Sequence, residues 1–128
     1  MTRNGENWVE DIGKPTYDAI VEMVEALQKA ETDEEREAAE TAIQEDPLSV
    51  EVRSGWYAPG VTDTKPEEYN LLLGTGGPAT RIIGTLNDYG EPETARLEVQ
   101  NWFKPWTEYT DVNDKVLLTY SQQFYFGE

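Results

Sequence analysis

Between Thr16 and Ala30 the residues Ala19, Ile20, Met23, Val24 and Leu27 recur at three- and four-residue spacing, which predicts one apolar face of a helix. Asp18, Glu22 and Glu25 fall opposite, and Glu25 with Lys29 has the spacing of an i,i+4 ion pair. A second helix is expected from Thr32, with Glu35 three residues on to close a capping box. Ala38, Ala39, Ala42 and Ile43 make its narrow inner face, and Pro47 stops it at Asp46 because the residue before a proline is pushed out of the helical region. Residues 16–46 therefore predict a helical hairpin.

The period then changes from three-to-four to two. "SVEVR" (49–53) sets Val50 and Val52 against Glu51 and Arg53, the pattern of a half-buried strand. "EYNLLLG" (68–74) and "RIIGTL" (81–86) flank "TGGPAT" and predict a β-hairpin with a Gly-Pro connection. After the turn cluster "NDYGEPET" (87–94), "ARLEVQNWF" (95–103) places Leu97 and Val99 on one side and Glu98 and Gln100 on the other. The tail, residues 111–126, opens on an Asp111 cap and carries Val112, Val116, Tyr120 and Phe124 at four-residue spacing, a closing helix. Helices at the ends with consecutive strands between them predict an α+β fold. The expectation is a single domain over 1–128: an acidic helical hairpin (16–46), an antiparallel sheet of about four strands (49–103), and the closing helix (111–126).

Composition narrows the chemistry. The 128 residues include no cysteine and no histidine, which removes disulfides, thiol nucleophiles, the commonest general base and the usual zinc ligands. No apolar run reaches the roughly 18 residues of a membrane helix, and the opening "MTRNGENWVEDIG" has no apolar core of a secretory signal, so a cytoplasmic protein is expected. The net charge is −16, a field that repels nucleic acid and anionic membranes and attracts basic proteins. Residues 1–46 hold 14 acids and 4 bases, a net of −10, and residues 47–128 hold 12 acids and 6 bases, a net of −6 over nearly twice the length.

The motifs that suggest catalysis fail on inspection. "GTGGPATR" (74–81) has the glycines of a phosphate-cradling loop but no lysine and no following helix, so a hairpin turn accounts for it. "DVNDKV" (111–116) starts like a calcium loop, but Val116 and Gln122 stand where such a loop needs Gly and Glu. Adjacent carboxylates are unavoidable among 26 acids and do not mark a glycosidase pair. "WFKPW" (102–106), with Trp56, Tyr57 and Tyr109, is aromatic enough for base stacking, yet stacking platforms sit in basic grooves. Packing of the sheet against the helices explains it better, with a protein contact at Trp106 and Tyr109 as the lesser option. No enzymatic role, cofactor or metal is expected.

What stands out is "ETDEEREAAETAIQED" (31–46), with eight carboxylates and one base, Arg36. As a sixteen-residue helix it would span about 24 Å, one carboxylate per roughly 3 Å, near the ~3.4 Å per charge along one DNA strand. The candidate partner-binding residues are Glu34, Glu37 and Glu40 as an outward row, Asp33, Glu45 and Asp46 beside it, and Asp18, Glu22 and Glu25 of the first helix as its extension. The same helix also reads as a face that keeps an alanine-rich segment in water, or as adaptation to high salt. A general adaptation spreads over all surfaces, and the uneven charge favours a partner.

The segment "YNLLLGTGGPATRIIGTLNDYGEPETARLEVQNWFKPWTEY" (69–109), with "LLTYSQQFYFGE" (117–128), resembles small proteins carried by bacterial phages and plasmids. A small, strongly acidic chain without His or Cys and with the 31–46 helix is similar to DNA-mimic anti-restriction and anti-CRISPR proteins. That resemblance implies a non-enzymatic inhibitor in a bacterial host cell, blocking the basic DNA- or RNA-binding site of a CRISPR-Cas or restriction complex. The alternative is an immunity- or antitoxin-like protein that neutralises a basic toxin, and a carboxylate-based enzyme ranks last. The oligomeric state is left open.

Overall fold

A computed structural model describes residues 4–61, 64–75 and 78–126. The elements run α1 (Asn4–Lys29), α2 (Asp33–Gln44), β1 (Ser49–Arg53), β2 (Glu68–Gly74), β3 (Pro78–Thr85), β4 (Arg96–Asn101), β5 (Thr107–Tyr109) and α3 (Asp114–Ser121). The strands form one antiparallel sheet in chain order, β1-β2-β3-β4-β5. Leu71, Ile82, Leu97 and Tyr109 sit opposite one another across four strands and point to the same side. Ile20 and Val24 of α1, Ile43 of α2 and Leu117 and Tyr120 of α3 close over them in one cluster. The helices therefore cover one face of the sheet, which defines an α+β fold.

The departures from the sequence pattern have local causes. α1 begins at Asn4, not at residue 16, although Gly13 and Pro15 are ordinary breakers. Pro15 donates no backbone bond, and the Thr16 hydroxyl donates to the Ile12 carbonyl at 3.3 Å. A Cβ on Gly13 would lie 2.6 Å from the Tyr109 ring, so the glycine lets the helix approach β5. Ile20 and Val24 are buried and Met23 and Leu27 half-buried as expected, but Ala19 is exposed. Glu25 and Lys29 do not pair, whereas Lys14 and Asp18 do, at 3.2 Å.

Thr32 caps α2, its Oγ1 accepting from the Glu35 N–H at 3.0 Å. Glu35 reaches back one residue beyond the cap and accepts from the Glu31 N–H at 2.8 Å. The helix ends at Gln44, two residues before the expected stop. Ala39 and Ile43 are its inner positions, while Ala38 and Ala42 are exposed, because a helix touching the core over a narrow strip buries positions four apart and little else.

β1 forms where expected, but Val50 and Val52, the face expected to be buried, remain 45% and 44% exposed, since β1 is the outermost strand. β3 starts at Pro78, and the Gly76–Gly77 pair of the expected turn lies outside the described residues. β5, three residues long, is a fifth strand that the pattern did not show. β4 stops at Asn101 because Trp102 and Phe103 take positive φ (20° and 42°) and reverse the chain. The last helix is capped by Asn113, not Asp111; it buries Leu117, Tyr120 and Ser121, and Val112, Val116 and Phe124 of the expected line pack half-buried against the core.

Candidate interaction surface

Of the nine acids singled out by sequence, eight are exposed and Glu40 is half-buried. On α1, Asp18, Glu22 and Glu25 are exposed, and Asp18 alone has a cation, Lys14. The hydrogen bond to Asp18 raises the Lys14 pKa above its ordinary value. On α2, Asp33, Glu34 and Glu37 are exposed and Glu40 is half-buried. Glu34, Glu37 and Glu45 share one outward face with Ala38, Thr41 and Ala42. Glu40 is half-buried and is not part of that face, so of the expected row only Glu34 and Glu37 stand on it, with Glu45. The helix has 12 residues, not sixteen, and five of them are carboxylates. That is still one per roughly 3.6 Å of axis, although the charges wind around the helix and form no single line.

Asp46 belongs to the fold. The Tyr120 hydroxyl donates to its Oδ2 at 2.6 Å, tying the segment after α2 to α3. Burial first, and then Asp46 itself, push the Tyr120 hydroxyl far above its usual pKa. For the acids of residues 31–46, no Lys or Arg among the described residues lies within ion-pair distance, Arg36 included.

The opposite face of the sheet carries charge of another kind. Glu51, Glu68, Glu98 and Glu108 share that side with Arg53, Arg81 and Arg96. Glu98, 9% exposed, receives Arg81 Nη2 at 2.6 Å and Arg96 Nε at 2.9 Å. Trp106 stacks on the Arg81 guanidinium, 4.0 Å from its ring centre, and Arg53 pairs with Glu68. Burial pushes Glu98 up, but the bonds from Arg96 and Arg81 outweigh it and hold the carboxyl below its ordinary value. This ladder was missed because only the register reveals it: Arg81 faces Glu98 across β3 and β4, 17 residues apart in sequence.

Trp106, expected against the helices, instead covers this helix-free side, and Trp102 and Phe103 are 63% and 104% exposed. Tyr109 is buried under α1 and offers no contact surface. Two hollows remain. One of about 290 Å³ on the open sheet face is lined by Glu51, Arg53, Glu68, Asn70, Arg81 and Arg96. Another of about 620 Å³ lies between Gln44, Tyr89 and Tyr125. Among the described residues no cluster of three acids is spaced to hold a metal ion, and no helix is long and apolar enough to cross a membrane. No protein-family model, curated protein or solved structure matches the chain.

Proposed function

We propose that this chain is a non-enzymatic inhibitor whose acidic helical layer occupies the basic nucleic-acid-binding site of another protein. One observation carries the reading: among the described residues the carboxylates on the outer face of α2 have no cation, while Arg53, Arg81 and Arg96 are all engaged on the far side of the sheet. Unpaired exposed carboxylates raise a negative potential that speeds encounter with a basic partner and fades with salt. The partner class is a bacterial host-defence complex of the CRISPR-Cas or restriction type, acting in the cytoplasm, with no direct contact to nucleic acid.

The test is capture from a bacterial lysate at low and moderate salt, followed by competition with double-stranded DNA for the captured protein. The wild type is compared with the combined Glu34→Gln, Glu37→Gln and Glu45→Gln variant. The reading expects a DNA- or RNA-binding protein that the wild type releases from its nucleic acid and the variant does not. Equal capture by both sinks it. The exposed Trp102–Phe103 turn favours a second reading, an immunity- or antitoxin-like protein that neutralises a basic toxin. In that case Phe103→Ala abolishes capture and the glutamine variant does not.

A further inference from the structure

We propose that the free edge of β1 pairs with the β1 edge of a second copy, antiparallel and with Val52 on the two-fold axis. The starting point is a mismatch between pattern and burial. "SVEVR" alternates as a strand with one buried face, yet Val50 and Val52 remain nearly half exposed, and Leu48 and Trp56, beyond the strand's two ends, are 59% and 105% exposed. Four of the large apolar residues left in solvent thus fall within nine residues around one edge strand. β2 pairs with one side of β1, and no other strand among the described residues meets the other side.

Charge selects the occupant. Edge strands ordinarily carry charges that deter pairing. On β1 the two charges are opposite in sign and sit on either side of Val52. In an antiparallel pair centred on Val52, Glu51 faces Arg53 of the second copy and Arg53 faces its Glu51, so the same two side chains match twice. Opposite charges directly across a strand pair are favourable and like charges are not. Val52 meets Val52 on the helix side, with Val50 beside it. The Arg53–Glu68 pair on the open face then continues into the second sheet. β5, the other edge, has three residues with Tyr109 buried, and such short edges resist pairing. The arrangement is isologous, as closed two-fold contacts require.

Salt separates this contact from capture of a basic partner. Two chains of net −16 repel, so screening strengthens self-association while it weakens binding to a basic protein. A contact of five residues per strand is smaller than the roughly 1,200 Å² of a stable interface, so sedimentation velocity is run up to about 1 mM, at low and moderate salt. The expected result is a concentration-dependent dimer that grows with salt. Glu51→Arg and Arg53→Glu each set like charges against one another twice and should weaken association by about tenfold, and the double exchange should restore it. Far-UV circular dichroism establishes that each variant is folded. The chain has no cysteine, so Val52→Cys reports the geometry directly: a symmetric pair on the axis falls within the ~4.4–6.8 Å Cα separation of a disulfide and should cross-link under mild oxidation. Glu108→Cys on the β5 edge should not. A monomer throughout, single reversals without effect, no recovery in the double exchange, or cross-linking at 108 and not at 52 each overturns the proposal.

Discussion

Glu98 and Glu37 are the same residue in two settings. Glu98 sits on the open face of the sheet between two guanidiniums, nearly enclosed, with Trp106 packed over one of them. Glu37 stands exposed on the outer face of α2, and no Lys or Arg among the described residues pairs with it. The difference is how far the fold has committed the charge. At Glu98 the desolvation of the carboxylate is offset by hydrogen bonds from both arginines, so the group is part of the structure. At Glu37 no ion pair or hydrogen bond among the described residues uses the charge.

The largest effect should come from breaking the committed side. Glu98→Ala leaves Arg81 and Arg96 without their carboxylate in a part-buried site, a loss of about 3 kcal/mol. Urea denaturation at neutral pH measures it. A carboxyl held below its ordinary value contributes stability above the unfolded-state pKa, 4.5 for this group, and loses it as pH falls through the folded value. The gap between wild type and Glu98→Ala should therefore be full at neutral pH and close progressively below about pH 4.5. A gap that stays constant into acid would mean that the ladder contributes packing and not charge.

A smaller effect decides where Asp46 belongs. By sequence it stands with the acids of the helical surface, and by structure it accepts from Tyr120. Tyr120→Phe removes that bond and leaves the buried ring in place, for an expected loss of about 1.5 kcal/mol. Thermal unfolding compared with Asp46→Asn resolves the assignment. Stability equal to wild type in both variants would return Asp46 to the unpaired set.

The sequence was most legible where a signal is local. The Thr32 cap, the alternation of Leu97 and Val99 and the first hairpin strand are each read within a few residues and appear where the pattern puts them, while the second hairpin strand starts three residues early, at Pro78. It misled where a residue's role depends on a distant neighbour. Gly13 and Pro15 look like breakers until Tyr109 is placed against the glycine. Val50 and Val52 look like a buried face until β1 proves to be an edge. The acidic surface was legible as composition but not as geometry, because the strip of α2 that meets the core, Ala39 and Ile43, decides which glutamates share an outward face. The arginine ladder was not legible, since no spacing in the chain announces a cross-strand register.

The smallest expected effect is on the uncommitted side, and its smallness is what gives it force. Glu34→Gln, Glu37→Gln and Glu45→Gln together remove three of the 26 acids, and none of the three meets a cation among the described residues, so the folded state should change by no more than about 0.5 kcal/mol. Its sign should be stabilising at low salt, because the replacements relieve self-repulsion in a chain of net −16. Thermal melts of wild type and variant across a salt series are the measurement. The wild type should gain more from added salt than the variant, and the two curves should converge where screening is complete. If the variant is instead clearly less stable, these glutamates have partners within the fold. The outer face of α2 would then be committed in the way that Glu98 is, and it would no longer be a surface held open for another molecule.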